Sequence, residues 1–148
     1  MRLLPLLLSL VFPLCGTEGI DGMAAPPPMD IAHIERPSTP NTFLAAPADF
    51  TPKPDAVTDF HGDPDQLYAA VKRVALAQDR VYLHVAYDDR RQVHFVARSA
   101  NANFPDLITA QITPDGNLIL YSRSIYGHGD MGVNQTRVHA WLAALAAR

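Results

Sequence analysis

After residue 63, the apolar residues recur first at helical spacing and then at strand spacing. This order of elements constrains the fold more than any other feature. Asp63-Pro64 is a typical helix start, because aspartate caps free amides and proline suits the first helical position. Apolar residues at helical spacing then predict a helix over about 64–78. Residues 81–87 and 93–98 instead alternate at every second position, as half-buried strands do. The sequence therefore predicts a helix followed by a strand hairpin.

Two further strands and a second helix are predicted to follow this hairpin. Residues 106–113 and 118–124 form the third and fourth strands, joined by the turn sequence Thr113-Pro114-Asp115-Gly116. The last helix has Asn134 as its predicted cap and an apolar stripe that contains Trp141. This order favours an α+β fold, a two-layer sandwich in which two helices cover one face of a four-stranded antiparallel sheet.

The N-terminus carries a targeting signal. Arg2 supplies one positive charge, and an apolar run follows from Leu3 to Leu14. This run is typical of a secretory signal and is shorter than the about 20 apolar residues that a transmembrane helix needs. We therefore predict a signal peptide over residues 1–20, no transmembrane span, and export to the periplasm or to the periplasmic side of a membrane.

Cys15 is the only cysteine, which excludes an intrachain disulfide and a cysteine-based metal site. Acylation of Cys15, as in a bacterial lipoprotein, and ordinary cleavage between Cys15 and Ala25 are two open routes of processing. Leu14 disfavours lipidation, because a small residue normally precedes an acylated cysteine. An uncleaved N-terminal anchor is the third alternative.

Residues 21–54 are rich in proline and small side chains, and this composition predicts an extended tether. Four apolar residues within it are candidates for contacts with the folded body: Ile31, Ile34, Phe43 and Leu44. The α+β domain itself is predicted over residues 55–148.

A loop with three glycines separates the fourth strand from the last helix. Residues 127–137 read Gly-His-Gly-Asp-Met-Gly-Val-Asn-Gln-Thr-Arg, and glycines at this density indicate unusual backbone angles. The segment resembles the Gly-x-(Ser/Gly)-Asp-x-Gly-Val-Asn-x-x-Arg pattern of the family known as domain of unknown function 1499. Residues 36–41 resemble its Cys-Pro-x-Ser-Pro-Asn segment. Phe104-Pro105-Asp106, after the Arg98-Ser99 pair, is similar to a third segment of that family.

The resemblance covers residues 36–145 and implies a small protein that is associated with the cell envelope or targeted to an organelle. The family name implies no activity. Arg36 stands where members usually have a cysteine, so any role of that cysteine does not apply to this chain. Ile125 stands where many members have a second arginine, which implies a smaller basic pocket.

Polar residues in and around this loop are the candidate ligand-binding residues: Arg98, Arg123, His128, Asp130, Asn134 and Arg137. With Asp106 they are expected to converge at one end of the sheet. In a structural interpretation, Asp130 caps nearby amides and pairs with an arginine. In a functional one, Arg98 and Arg123 hold an anion or small polar ligand near the N-terminus of the last helix, where free amides favour negative charge.

The sequence contains no nucleophile elbow, phosphate-binding glycine loop or short metal-binding spacing, so we predict no catalytic residue, metal or cofactor. His84 and His94 lie on neighbouring predicted strands, but isolated histidines are more usual than a ligand pair. The net charge of −3 lies within the first 50 residues. The charges of the remaining residues sum to zero, which argues against nucleic-acid binding.

Three functions stay open. The favoured one is a non-enzymatic envelope module that binds a small anionic ligand or an unidentified envelope protein. The second is a hydrolase-type enzyme that uses Asp130 and His128 of the Gly-His-Gly-Asp loop as acid and base. The third is a purely structural domain.

Overall fold

The computed structural model describes residues 3–148, and Met1 and Arg2 of the predicted signal peptide lie outside these residues. The described helices and strands, in chain order, are α1 (Leu3–Leu8), β1 (Thr42–Ala46), β2 (Ala56–Val57), α2 (Pro64–Leu76), β3 (Val81–Tyr87), β4 (Gln92–Arg98), β5 (Pro105–Ile112), β6 (Leu118–Ser124) and α3 (Val133–Ala146). Short 3₁₀ turns occur at Pro13–Gly16, Ile31–His33 and Asp88–Arg90. No helix within residues 3–148 is both long enough and apolar enough to cross a membrane.

The strands form one mixed sheet of six strands in the order β2-β1-β6-β5-β4-β3. β1 and β2 pair in parallel, and every other neighbouring pair is antiparallel. The α+β class is confirmed, but the predicted four-stranded antiparallel sheet with two helices is wrong in detail. The four predicted strands are β3 to β6, to which the structure adds β1, β2 and α1. β1 lies inside the predicted tether, so the sheet begins before the predicted domain boundary at 55.

Helices α2 and α3 cover one face of the sheet. Leu67 and Val71 of α2 and Leu145 of α3 are about 1% exposed in the same core. Trp141 of α3 is 2% exposed, and its ring meets Phe95 of β4 edge-on with the centroids 5.6 Å apart. Burial of side chains this large is the main stabilising contribution to such a layer, about 1.5–3 kcal/mol each.

The opposite face of the sheet is covered by the chain that precedes β2. Leu44 and Ala46 of β1 form a second buried cluster with Ile34, Ile119 and Tyr121. Residues 29–50 supply the other apolar contacts of this cluster. Ile34 and Leu44, two of the four apolar residues proposed to contact the folded body, therefore lie in a core.

The β5–β6 hairpin turns at Gly116, whose φ of +85° belongs to the left-handed region. The amide of Gly116 donates to the carbonyl of Thr113 at 2.9 Å. A Cβ at this position would lie 2.3 Å from the backbone oxygen of Gly62. The turn therefore requires glycine both for its backbone angle and for the close approach of the loop before α2.

Replacing Gly116 with alanine is expected to lower the free energy of unfolding by more than about 1 kcal/mol, because the clash adds to the left-handed penalty. Gly129→Ala is the matched control, since a Cβ there meets nothing within 4 Å. Urea denaturation followed by circular dichroism measures both. Equal stability of the two variants would contradict the contact with Gly62.

Candidate functional site

Asn134 is fully buried in the first turn of α3 and lies at the centre of a polar network. Both polar atoms of its side chain are fully used. The Oδ1 atom accepts from Ser122 Oγ at 2.7 Å and from Arg137 Nη1 at 3.1 Å, and Nδ2 donates to the carbonyl of Asn41 at 3.0 Å, to Ser124 Oγ at 2.9 Å and to Asp130 Oδ2 at 2.6 Å. The residue thus joins α3 to β6, to the glycine loop and to the segment before β1.

Asp130 caps α3 from the loop. Its carboxylate accepts the backbone N–H of Gly132 at 2.9 Å and that of Asn134 at 3.1 Å. The prediction that Asn134 is the cap is wrong, because Gly132 holds the N-cap position with a φ of +78°. Burial alone would raise the pKa of Asp130, but hydrogen bonds from Asn134 and from backbone amides outweigh it and lower that pKa below its usual value.

Arg137 and Asp106 form a buried ion pair beside Asn134. The distance from Arg137 Nη2 to Asp106 Oδ2 is 2.9 Å, and the two side chains are 13% and 9% exposed. Arg137 Nη1 also donates to Ser122 Oγ at 3.0 Å. Burial raises the pKa of Asp106, and the opposing effect of Arg137 does not cancel this rise. The structural interpretation expected Asp130 to pair with an arginine, but the ion pair of this site is made by Asp106.

Arg98 lies on the other face of the sheet and is engaged by the N-terminal segment. Its Nε donates to the carbonyl of Gly19 at 3.1 Å and its Nη2 to Thr17 Oγ1 at 2.8 Å. Its Nη1 donates to the carbonyls of Leu14 and Asn103. Only 4% of Arg98 is exposed. The hydrogen bonds of the Arg98 side chain thus run to the N-terminal segment and to the turn before β5, whereas Arg98 and Arg137 together line a pocket of about 450 Å³.

Arg123 lies on the same face as Arg98 but at a separate pocket, which we name the Arg123 pocket. This pocket has a volume of about 540 Å³ and lies between β6 and the segment before β1. The residues that line it include Glu35, Arg36, Thr42, Tyr121 and Arg123. Nε of Arg123 is buried and has no hydrogen-bond partner, and the buried hydroxyl of Tyr121 has no partner of good hydrogen-bond geometry, although the side chain of Thr42 lies beside it. Both side chains belong to the pocket wall.

Arg36, the residue that replaces the usual family cysteine, is already paired at the edge of this pocket. Its Nη2 lies 2.6 Å from Asp55 Oδ2 and 3.1 Å from Thr42 Oγ1. Asp55 also accepts the amide of Leu44 at 2.9 Å. The charge of Arg36 is therefore compensated, whereas Arg123 makes no ion pair within the part of the chain that the structure describes.

The histidines do not gather into one site. His128 is exposed in the loop. His94 is buried between Gln92 Oε1 at 3.0 Å and Thr109 Oγ1 at 2.9 Å, and burial lowers its pKa to about 4. His84, on the same face, lies 3.1 Å from the carbonyl of Met23. Among residues 3–148 no three or more potential metal ligands lie close enough together to hold an ion.

Three of the candidate residues, Asp130, Asn134 and Arg137, come together with Asp106. Arg98 and Arg123 lie on the opposite face, and His128 is exposed in the loop. Tyr121 and Asn41 were missed. Tyr121 shares the alternation of Arg123 along β6, and this spacing was available in the sequence. Asn41 closes the 36–41 segment, and its Nδ2 donates to the carbonyl of Gly127 at 2.8 Å.

Cys15, the candidate lipidation residue, is fully buried in the 3₁₀ turn Pro13–Gly16. Burial raises the pKa of its thiol above the ordinary value, with a smaller opposing effect from Arg98. Its acylation stays a prediction.

The fold and these contacts define an α+β domain with a polar network on the helical face and a small open pocket on the other. The family model described as Protein of unknown function (DUF1499) matches residues 34–145. The chain belongs to this family, as its loop predicted. No curated protein and no solved structure matches the chain significantly.

Proposed function

We propose that this protein is a non-enzymatic module of the cell envelope that binds a small anionic ligand in the Arg123 pocket. The observation that carries the proposal is that Arg123, which has no ion pair among the described residues, lines an open pocket and has a buried Nε without a hydrogen-bond partner. A buried donor without a partner costs about 1–3 kcal/mol, and more when it is charged. A ligand that supplies acceptor atoms would recover this cost on binding.

The charges around the pocket favour a ligand with one negative group. Arg36 and Asp55 neutralise each other, which leaves Arg123 as the uncompensated cation. Glu35 is exposed and contributes a negative charge to the lining. A polyphosphate would be repelled by this carboxylate, so a singly charged carboxylate, to which guanidinium offers a planar pair of donors, fits better.

Export is the second part of the proposal and is supported by the sequence alone. The apolar run from Leu3 to Leu14 after Arg2 has the length and charge of a secretory signal. Mass spectrometry of the protein from the envelope fraction tests it. An intact Met1 on the recovered chain would contradict cleavage.

The geometry gives the hydrolase alternative no support. Asp130, its acid, already accepts three hydrogen bonds from Asn134 and Gly132. These bonds lower the pKa of Asp130, whereas a general acid needs a raised one. If the pocket binds no ligand, the third alternative, a purely structural domain, is favoured.

Titration of the full chain with acetate, succinate and inorganic phosphate, followed by NMR, tests the pocket. We expect saturable shifts of the amides of residues 121–127 with a Kd of about 1 mM for a carboxylate. Arg123→Gln is expected to weaken this binding by at least about tenfold, the effect of losing one charge-assisted hydrogen bond. Tyr121→Phe is expected to weaken binding with little loss of stability, because its hydroxyl has no hydrogen bond of good geometry in the free protein.

Arg73→Gln is the matched control, since Arg73 is an exposed arginine of α2 in the other layer. It removes the same charge and is expected to leave the titration unchanged. The pocket assignment is wrong if no anion gives a saturable shift, or if Arg73→Gln and Arg123→Gln have equal effects.

A further inference from the structure

The second face of the sheet holds the chain's own residues 12–29 through their backbone. Six side-chain hydrogen bonds run to main-chain carbonyls: Asn103 Nδ2 to Cys15 at 2.9 Å and to Thr17 at 2.7 Å, Arg98 Nη1 to Leu14, Arg98 Nε to Gly19 at 3.1 Å, Tyr87 Oη to Pro26 at 2.5 Å, and Gln92 Nε2 to Met29 at 2.9 Å. Contacts of this kind recognise the main chain of a bound segment and do not depend on the side chains that it carries. The donors belong to β3, β4 and the turn before β5.

The same face has two side-chain subsites at the beginning of this segment. Phe12 packs against Tyr126 with ring centroids 4.9 Å apart and against Phe104 with centroids 5.5 Å apart. Cys15, three residues later, is 0% exposed. The face therefore accommodates an aromatic side chain and, three residues further on, a small one.

The donors at this end are themselves buried. Arg98 is 4% exposed and Asn103 is 8% exposed. Departure of residues 12–19 would leave these donors without the carbonyls that satisfy them, at a cost in free energy that another acceptor-rich chain would recover. A cavity of about 1080 Å³ also flanks residues 15–21 beside Arg80 and Tyr82, so the segment does not fill the available space.

We propose that this face is a groove for a peptide of a partner protein, held through its carbonyls in a turn-containing conformation, with an aromatic residue followed three positions later by a small one. Residues 12–19 occupy the groove within the same chain. Their removal with the signal peptide, which rests on the proposed export, frees the groove for the partner. The groove does not use Arg123 or Tyr121, so its test is independent of the anion pocket.

The reactivity of Cys15 tests whether the groove holds its own segment. The thiol is the only one in the chain. We expect a soluble maleimide to label it at least about tenfold more slowly in the folded full chain than in urea, because labelling requires local opening. Asn103→Asp replaces the amide group that donates to the carbonyl of Cys15 with an acceptor, but it keeps the side-chain oxygen that accepts a hydrogen bond from Arg80 Nη2. The substitution is expected to remove most of the protection of Cys15.

Asn101→Asp is the matched control, since it makes the same chemical change at an exposed position of the same turn. It is expected to keep the protection of Cys15. Labelling as fast in the folded wild-type chain as in urea would overturn the proposal, and so would equal effects of the two substitutions.

Peptide binding tests recognition of a separate chain. The probe is a labelled peptide of residues 11–23 in which Cys15 is alanine, and the receptor is the full chain carrying Phe12→Asp and Cys15→Asp, which displace its own segment. We expect the peptide to bind this receptor at least about tenfold more tightly than the wild-type chain, whose own segment competes at an effective concentration on the order of millimolar. Phe12→Ala in the peptide is expected to weaken binding by a similar factor, on the order of tenfold.

No binding to the displaced receptor, or equal binding of the two peptides, would overturn the proposal. If the doubly substituted receptor does not fold, the labelling rates of the wild-type and Asn103→Asp chains decide the question.

Discussion

Replacing Asn134 with leucine is expected to lower the free energy of unfolding by about 3–5 kcal/mol, a large share of the stability of a small domain. Leucine has a similar volume but cannot hydrogen-bond. The substitution leaves the hydroxyl donor of Ser122 without its acceptor, and it removes one of two donors from the carbonyl of Asn41 and from Asp130 Oδ2, in a region where Asn134 is 0% exposed. Each lost hydrogen bond costs about 0.5–1.5 kcal/mol, and a buried donor without an acceptor costs about 1–3 kcal/mol.

Gln135→Leu is the control for Asn134→Leu. Gln135 is the next residue of α3 and is exposed, so a change within about 0.5 kcal/mol is expected. Urea denaturation followed by circular dichroism gives both values. A loss below about 1 kcal/mol for Asn134→Leu would mean that water replaces its five hydrogen bonds and that the network is not structural.

The second large effect is expected for Arg137→Met, which leaves Asp106 buried without its cation. Breaking a buried pair in this way typically costs about 3–5 kcal/mol. The loss is expected to depend on pH, because burial already raises the pKa of Asp106 and removal of Arg137 raises it further. A carboxyl whose folded-state pKa is raised stabilises most below its unfolded pKa, and that contribution is lost as the pH rises through the folded pKa. Arg137→Met therefore loses less stability at pH 4 than at pH 7.

Urea denaturation at both pH values measures this difference against the wild-type chain, so that the titration of Asp130 cancels. Asp106→Leu combined with Arg137→Met is expected to recover part of the loss, since it removes both charges. Arg91→Met is the control, because its pair with Asp65 is exposed and contributes little. A loss for Arg137→Met that is independent of pH would show that Asp106 is not left as a buried charge.

The sequence predicted the elements that depend on local period. β3 and β6 have their predicted bounds, and α2 begins at the predicted Pro64. β1 was missed because the sequence of Thr42–Ala46 does not alternate and lies among prolines. Its main strand partner is β6, which is distant in the sequence. Pairing of this kind is decided by tertiary contacts, and composition does not reveal it.

The candidate site was predictable only where it follows a local motif. The glycine loop indicated Asp130 and Asn134. Asp130 caps backbone amides as the structural interpretation expected, but Asn134 is not the cap and lies at the centre of the network. The role of Asn134 depends on where Asn41 and Ser122 lie, and the sequence of the loop does not contain that information. Alternate residues of a strand point to opposite faces of the sheet, so the positions of Arg98 in β4 and Arg123 in β6 already place their side chains on the face away from α3. This alternation is a better guide to their location than their closeness to the glycine loop in the sequence.

The pairing of β1 with β6 has a consequence for biogenesis. Thr42 lies opposite Arg123, so the sheet closes around a contact between residues some eighty positions apart. While a chain emerges residue by residue, β1 can pair with β2 but lacks its longer partner until β6 has been made. The sheet therefore cannot close around β1 until most of the polypeptide has been synthesised.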